Sequence, residues 1–151
     1  MASQNYSSPC LTLEEIDTML MQQNIPLLQV HWHIGQYIVM HQQNGRKKAR
    51  RNSGLLENLS EIFTQKHGVG FSRQNLIYMR RFFLFFPCRQ SPFNGSLTWT
   101  HYIEILKATY YEEVIFYKTQ AEIGHWSVRQ LKKQMKEKLF YQLSIHTPGL
   151  I

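Results

Sequence analysis

Apolar residues recur at helical spacing along most of this chain, and the series are separated by strong stop signals. Thr12-Leu13-Glu14-Glu15 opens the first series as a capping box, with Thr12 as N-cap and Glu15 at the third helical position. Leu13, Ile16, Met19 and Leu20 follow at helical intervals, and Asn24 and Pro26 interrupt them. A second series runs through Leu27, Val30, Ile34, Ile38 and His41 and should stop near Asn44-Gly45. Leu55, Leu56, Leu59, Ile62 and Phe63 form the apolar face of a third helix, ending at His67-Gly68. After the turn Gly68-Val69-Gly70-Phe71, Ser72 caps a fourth helix from Arg73 to about Phe86, closed by Pro87.

Beyond Pro87 the pattern weakens. Pro92 and Asn94-Gly95 favour a tight turn, so a small β wing is an option over residues 88–98. A fifth helix is expected near Thr100 and a sixth over Tyr110–Glu122. Ser127-Val128-Arg129-Gln130 then opens a last amphipathic helix carrying Val128, Leu131, Met135 and Leu139 on one face. Its lysines, Lys132, Lys133, Lys136 and Lys138, read as a solvated face that suits the helix dipole. The fold class is therefore all-α. The chain divides into a flexible lead (1–11), a single helical domain (12–143) and a frayed tail (144–151).

Charge adds a partner to this picture. The net charge of the 151 residues is +7, which suits a polyanion. Five of the six residues Arg46–Arg51 are basic (Arg46, Lys47, Lys48, Arg50 and Arg51), with no acid among them. Such a block fits the phosphate backbone, and Lys66 adds a further cation nearby. The two helices around GVGF, residues 54–86, have the spacing of a helix-turn-helix, although an ordinary helical hairpin would show it too. In a helix-turn-helix the first turns of the second helix meet base edges in the major groove. Those positions hold Ser72, Arg73, Gln74 and Asn75, and Gln74, Tyr78 and Arg81 fall at i, i+4 and i+7 on one exposed stripe. Arginine pairs with guanine, and glutamine or asparagine with adenine. Leu76, Met79, Phe83 and Phe86 fall on the opposite, core-facing stripe. The run Phe82, Phe83, Phe85 and Phe86 looks too wide for one core and suggests an exposed apolar patch.

Catalytic chemistry is poorly supplied. Of ten carboxylates only Asp17 is an aspartate, so no cluster suits Mg²⁺, and a Ser/His/Asp triad would have to use Asp17. The seven histidines are scattered, and Cys10 and Cys88 lack metal-ligand spacing. No metal, cofactor or small-molecule substrate is expected, and no catalysis. No apolar run approaches membrane-spanning length, and the chain reads as cytoplasmic.

Six strings now combine: Trp32–Ile38 (WHIGQYI), Leu55–Ser60 (LLENLS), His67–Phe82 (HGVGFSRQNLIYMRRF), Leu97–Leu106 (LTWTHYIEIL), Phe116-Tyr117 and Trp126–Leu131 (WSVRQL). In this order they resemble the N-terminal domain of the YhcG-like proteins, over roughly residues 12–143. The resemblance implies a plain or winged helix-turn-helix that binds DNA and usually precedes a PD-(D/E)XK nuclease domain; duplex DNA is the partner expected. It carries the family's motif onto Gly70, Phe71, Ser72, Asn75, Leu76, Met79, Arg80 and Phe82, then Trp99, His101 and Tyr102, then Trp126, Ser127, Val128 and Leu131. Two positions depart from the family: Arg51-Asn52 replaces a Tyr-Gly pair, and Val114 replaces an arginine. No nuclease constellation occurs in the chain. The function expected is thus a non-catalytic targeting module of a nuclease system, with a separate nuclease subunit and a homodimer as further partners. The alternative is a protein-interaction or dimerisation module that recruits a partner nuclease without touching DNA.

Overall fold

The computed structural model describes residues 9–43, 54–87 and 95–146. These fall into two compact units, Met1–Asn94 and Gly95–Ile151. Unit one holds α1 (Leu13–Met21), α2 (Leu27–Gln43), α3 (Leu55–His67) and α4 (Arg73–Phe85). Unit two holds α5 (Trp99–Ile105), α6 (Tyr111–Ile123), α7 (Val128–Lys136) and α8 (Leu139–His146). The all-α reading holds: there is no strand among the described residues. The wing expected over 88–98 lies mostly on residues 88–94, outside the described residues. Residues 95–98 carry a bend and an extended lead into α5 instead of a strand.

In unit one the caps form as the sequence predicts. The Thr12 hydroxyl accepts from the Glu15 amide at 3.2 Å, and the Glu15 carboxylate accepts from the Thr12 amide at 2.9 Å. The central element is α2, which contacts α1, α3 and α4. Val30, Trp32, Ile34, Ile38 and Val39 are buried, and so are His31, His33 and Gln36. A helix covered all round loses the one-sided pattern by which helices are usually recognised. Burial pushes the His31 imidazole down to about 4, so it is neutral near pH 7.

The most extensive packing in unit one is between α2 and α4. Gly35 makes it close: a β-carbon built there would lie 2.0 Å from the Met79 carbonyl oxygen and 3.0 Å from the Phe83 β-carbon. Trp32 locks the far end, its indole N–H donating to the Phe86 carbonyl at 2.6 Å while its ring meets Phe83 edge-on. This intimacy corrects the expected aromatic patch. Phe82, Phe83 and Phe86 are all buried, and Phe85 is partly so. Phe86 is the C-cap of α4, and its ring packs on that of Phe82 four residues earlier with centroids 5.8 Å apart.

Unit two is also built on caps. Thr98 caps α5, and His101 fills the position that glutamate usually takes in a capping box. His101 Nδ1 accepts from the Thr98 amide at 3.1 Å, and Nε2 lies 2.8 Å from the Trp126 carbonyl. An acceptor role on Nδ1 and a carbonyl facing Nε2 assign the donated ring proton to Nε2. The same bond ties the LTWTHY string to the WSVRQL string. At the end of α6, the Trp126 amide donates to the Ala121 carbonyl, and the intervening His125 sits in the left-handed region at φ 49°. This is a Schellman stop with histidine in the place glycine favours. His125→Gly is therefore expected to stabilise the fold by about 1 kcal/mol, read as a rise in thermal midpoint.

The last helix differs from the sequence reading. It breaks at Lys138 (φ 56°) into α7 and α8. The break redirects α8 onto α6: the Phe140 amide donates to the Tyr117 hydroxyl at 3.2 Å, and the Phe140 ring packs edge-on against Phe116. The Tyr141 hydroxyl bonds Glu113 in the first turn of α6, which pushes its pKa up to about 12.

Candidate nucleic-acid interface

The start of α4 is organised by its own polar residues. The Ser72 hydroxyl accepts from the Asn75 amide at 3.2 Å, a side-chain N-cap. The Asn75 side-chain amide donates back to the Gly70 carbonyl at 3.1 Å. Gly70 itself takes φ 110°, a conformation that side chains rarely adopt. Phe71 then drops into the core, its ring 5.4 Å from Phe63 of α3 and edge-on to His31 of α2. The GVGF turn is thus pinned at both ends, and Val69 at its apex is 97% exposed.

The remaining base-readout candidates divide into two groups. Arg73 and Gln74 are exposed on the first turn of α4, which contains no acid. The Arg73 guanidinium bonds Glu57 of α3 at 2.8 Å, and both side chains are more than half exposed. Tyr78 and Arg81 continue the stripe but are half-buried, with the Arg81 guanidinium 5.4 Å from the centre of the Phe85 ring. Ser72 and Asn75 spend their side chains on the cap and the turn. Arg80 points elsewhere: its Nε donates to the Gln42 side-chain oxygen of α2 at 2.7 Å.

Most of the phosphate candidates, Arg46, Lys47, Lys48, Arg50 and Arg51, lie outside the described residues. Lys66 is described; its ammonium lies 3.6 Å from Asp17 and is well exposed.

Sequence reasoning missed the role of Asp17. His67 Nε2 sits 2.6 Å from its carboxylate, tying α1 to the end of α3 just before the glycine turn. The bond from His67 holds the Asp17 pKa below its ordinary value, with Lys66 assisting. A depressed carboxylate stabilises the fold fully above the ordinary pKa of 3.8, and loses that contribution as pH falls through the folded value. Thermal midpoints should therefore decline on the acid side below about pH 4, and Asp17→Asn should flatten that decline. An unchanged acid limb in the variant would exclude the pair as its source.

Among the described residues, no group of three His, Cys, Asp or Glu side chains is placed to hold a metal ion. No helix among them is long and apolar enough to cross a membrane.

Comparison with known proteins supplies a family. The chain is 26% identical to a protein named Putative nuclease YhcG from Escherichia coli strain K12, over 81% of this chain and 40% of that one. It thus spans about two fifths of the relative's length, matching its N-terminal part. No solved structure matches the chain. The profile of the DUF1016 N-terminal domain matches residues 14–142, nearly the whole helical region, and the chain belongs to that family.

Proposed function

We propose that this chain is a non-catalytic DNA-binding module in which α3, the GVGF turn and α4 act as a helix-turn-helix. The observation that carries this reading is the state of the first turn of α4. Ser72 and Asn75 fix the helix start, leaving Arg73 and Gln74 exposed at the position from which a recognition helix meets base edges. Tyr78 and Arg81 extend the contact along the stripe. The Arg73–Glu57 bond does not oppose it. An exposed ion pair contributes about 0–1 kcal/mol, whereas a bidentate arginine–guanine contact contributes about 1–3. The exchange favours DNA.

The phosphate contacts fall to Lys66 and the block Arg46–Arg51. The relative's name includes "nuclease", and this chain corresponds to its N-terminal part alone. With one aspartate among its ten carboxylates, the chain is poorly equipped for metal-assisted cleavage. We assign it the targeting role, with cutting supplied by a nuclease partner.

One observation favours the second reading, partner recruitment without DNA contact. A cavity of about 330 Å³ on α6 and α8 is lined largely by apolar groups, including Tyr111, Ile115, Phe116 and Phe140.

Selection from a randomised duplex pool separates the two. Arg73→Ala with Gln74→Ala should change the preferred sequence, at a cost of about tenfold or more on the preferred sites. Lys47→Ala should weaken all sequences alike. An unchanged preference in the double variant would remove α4 from base readout.

A further inference from the structure

The turn between α6 and α7 repeats the construction of the turn between α3 and α4. In each case a 13-residue helix is followed directly by a glycine, Gly68 or Gly124. The residue just before the aromatic one has positive φ, Gly70 or His125, although Gly68 also has positive φ (82°) where Gly124 is right-handed (φ −83°). An aromatic residue and a capping serine follow: Phe71-Ser72 in one, Trp126-Ser127 in the other. Each serine hydroxyl accepts from the amide three residues on, and each leucine four residues on, Leu76 or Leu131, is fully buried. The second turn is one residue shorter. The preceding helix packs on both partners each time, α2 on α3 and α4, and α5 on α6 and α7. Little but the glycine, the serine and the leucine is shared in sequence, so the repeat is one of construction.

We propose that α6, its turn and α7 form a second helix-turn-helix, whose α7 grips the phosphate backbone of duplex DNA through Arg129, Lys132, Lys133 and Lys136. The proposal rests on the duplex-binding reading above. These four positions follow i, i+3, i+4, i+7, one stripe about 10 Å long, close to the width of a major groove. All four are exposed. Lys132 lies 3.8 Å from Glu104, which Lys107 already holds at 2.9 Å. Arg129, Lys133 and Lys136 enter no ion pair among the described residues. α7 itself contains no acid. Gln130 is spent on the capping box, its side chain accepting from the Ser127 amide at 2.8 Å. The face therefore offers cations and little that reads bases. Leu131 is buried and Val128 and Met135 are partly so, which leaves no apolar stripe for a lipid surface.

The test is a salt titration of binding to a labelled duplex that carries a sequence preferred by the wild type in the selection above. Its arms are wild type, the triple variant Arg129→Gln, Lys133→Gln and Lys136→Gln, and the α4 double variant Arg73→Ala with Gln74→Ala. Glutamine preserves helix propensity, so the thermal midpoint of the triple variant should match wild type. Its slope of log affinity against log salt should be shallower by about 0.9 for each phosphate that is no longer neutralised, and Lys133→Arg alone should keep the wild-type slope. A triple variant with the wild-type slope, beside a weakened α4 variant, overturns the α7 site and leaves the α4 reading standing. A weakened triple variant beside an unaltered α4 variant upholds α7 and overturns α4. Failure of the wild type to bind overturns both.

Discussion

Gly35→Ala should destabilise unit one by about 3 kcal/mol or more, lowering the thermal midpoint by roughly 10 °C. Helix propensity alone gives the opposite sign, because alanine is favoured over glycine by about 1 kcal/mol in a helix interior. The geometry decides against propensity. The new methyl would sit 2.0 Å from the Met79 carbonyl oxygen and 2.7 Å from its carbon. These are backbone atoms of α4, so no rotamer change relieves the clash and the two helices must separate. Separation would strain the Trp32–Phe86 hydrogen bond and loosen the packing of Phe83. Gly54→Ala is the control: a methyl there meets nothing within 4 Å, and only the left-handed backbone at φ 69° opposes it. That substitution should cost about 1–2 kcal/mol. Chemical denaturation of both variants reads the difference, and a Gly35→Ala protein as stable as wild type would contradict the close α2–α4 packing.

The sequence reveals most of this architecture because the helices are punctuated by residues with a local mechanism. Thr12 with Glu15, Ser72, and Ser127 with Gln130 announce helix starts, and Gly68 announces a stop, before any tertiary contact is known. What stays hidden depends on neighbours distant in sequence. Gly35 reads only as a weak point in a helix until Met79 is placed against it. His31 and His33 fall on different faces of α2 in the sequence, yet both are buried, as is Gln36, because neighbours cover the middle of α2 on every side. The capping box at Thr98 escapes notice because histidine stands where glutamate is expected. The break at Lys138 carries no glycine, and it is driven by the contacts Phe140 makes with Phe116 and Tyr117.

The candidate site was legible in its residue types and less so in their roles. Ser72, Arg73, Gln74 and Asn75 stand at the start of α4, and Gln74, Tyr78 and Arg81 lie along one stripe of it. Only the folded chain separates the exposed pair, Arg73 and Gln74, from the residues used to build the turn and from the half-buried pair, Tyr78 and Arg81. The Glu57 partner of Arg73 comes from α3 and could not be assigned from spacing within α4. The second turn does not show as a sequence repeat because it shares geometry while sharing few letters.

Duplex affinity should fall about a thousandfold between 50 and 200 mM salt. The size follows from counterion release. Each phosphate neutralised contributes about 0.9 to the slope of log affinity against log salt, so about six of them over a fourfold salt change give roughly three decades. Six is the number of cations assigned to the backbone from the sequence: Arg46, Lys47, Lys48, Arg50, Arg51 and Lys66. Cations of α7 would steepen the slope further. An incidental basic surface would show weaker binding and a shallower slope, because fewer charges would meet phosphates at once. A module that only recruits a protein would show no duplex binding at either salt. Equilibrium titration of the purified chain with a labelled duplex at those two salt concentrations is therefore the most direct measurement. Tight binding at low salt that falls by about three decades is the result expected of a DNA-targeting module. Absence of binding at low salt, or an affinity indifferent to salt, would contradict it.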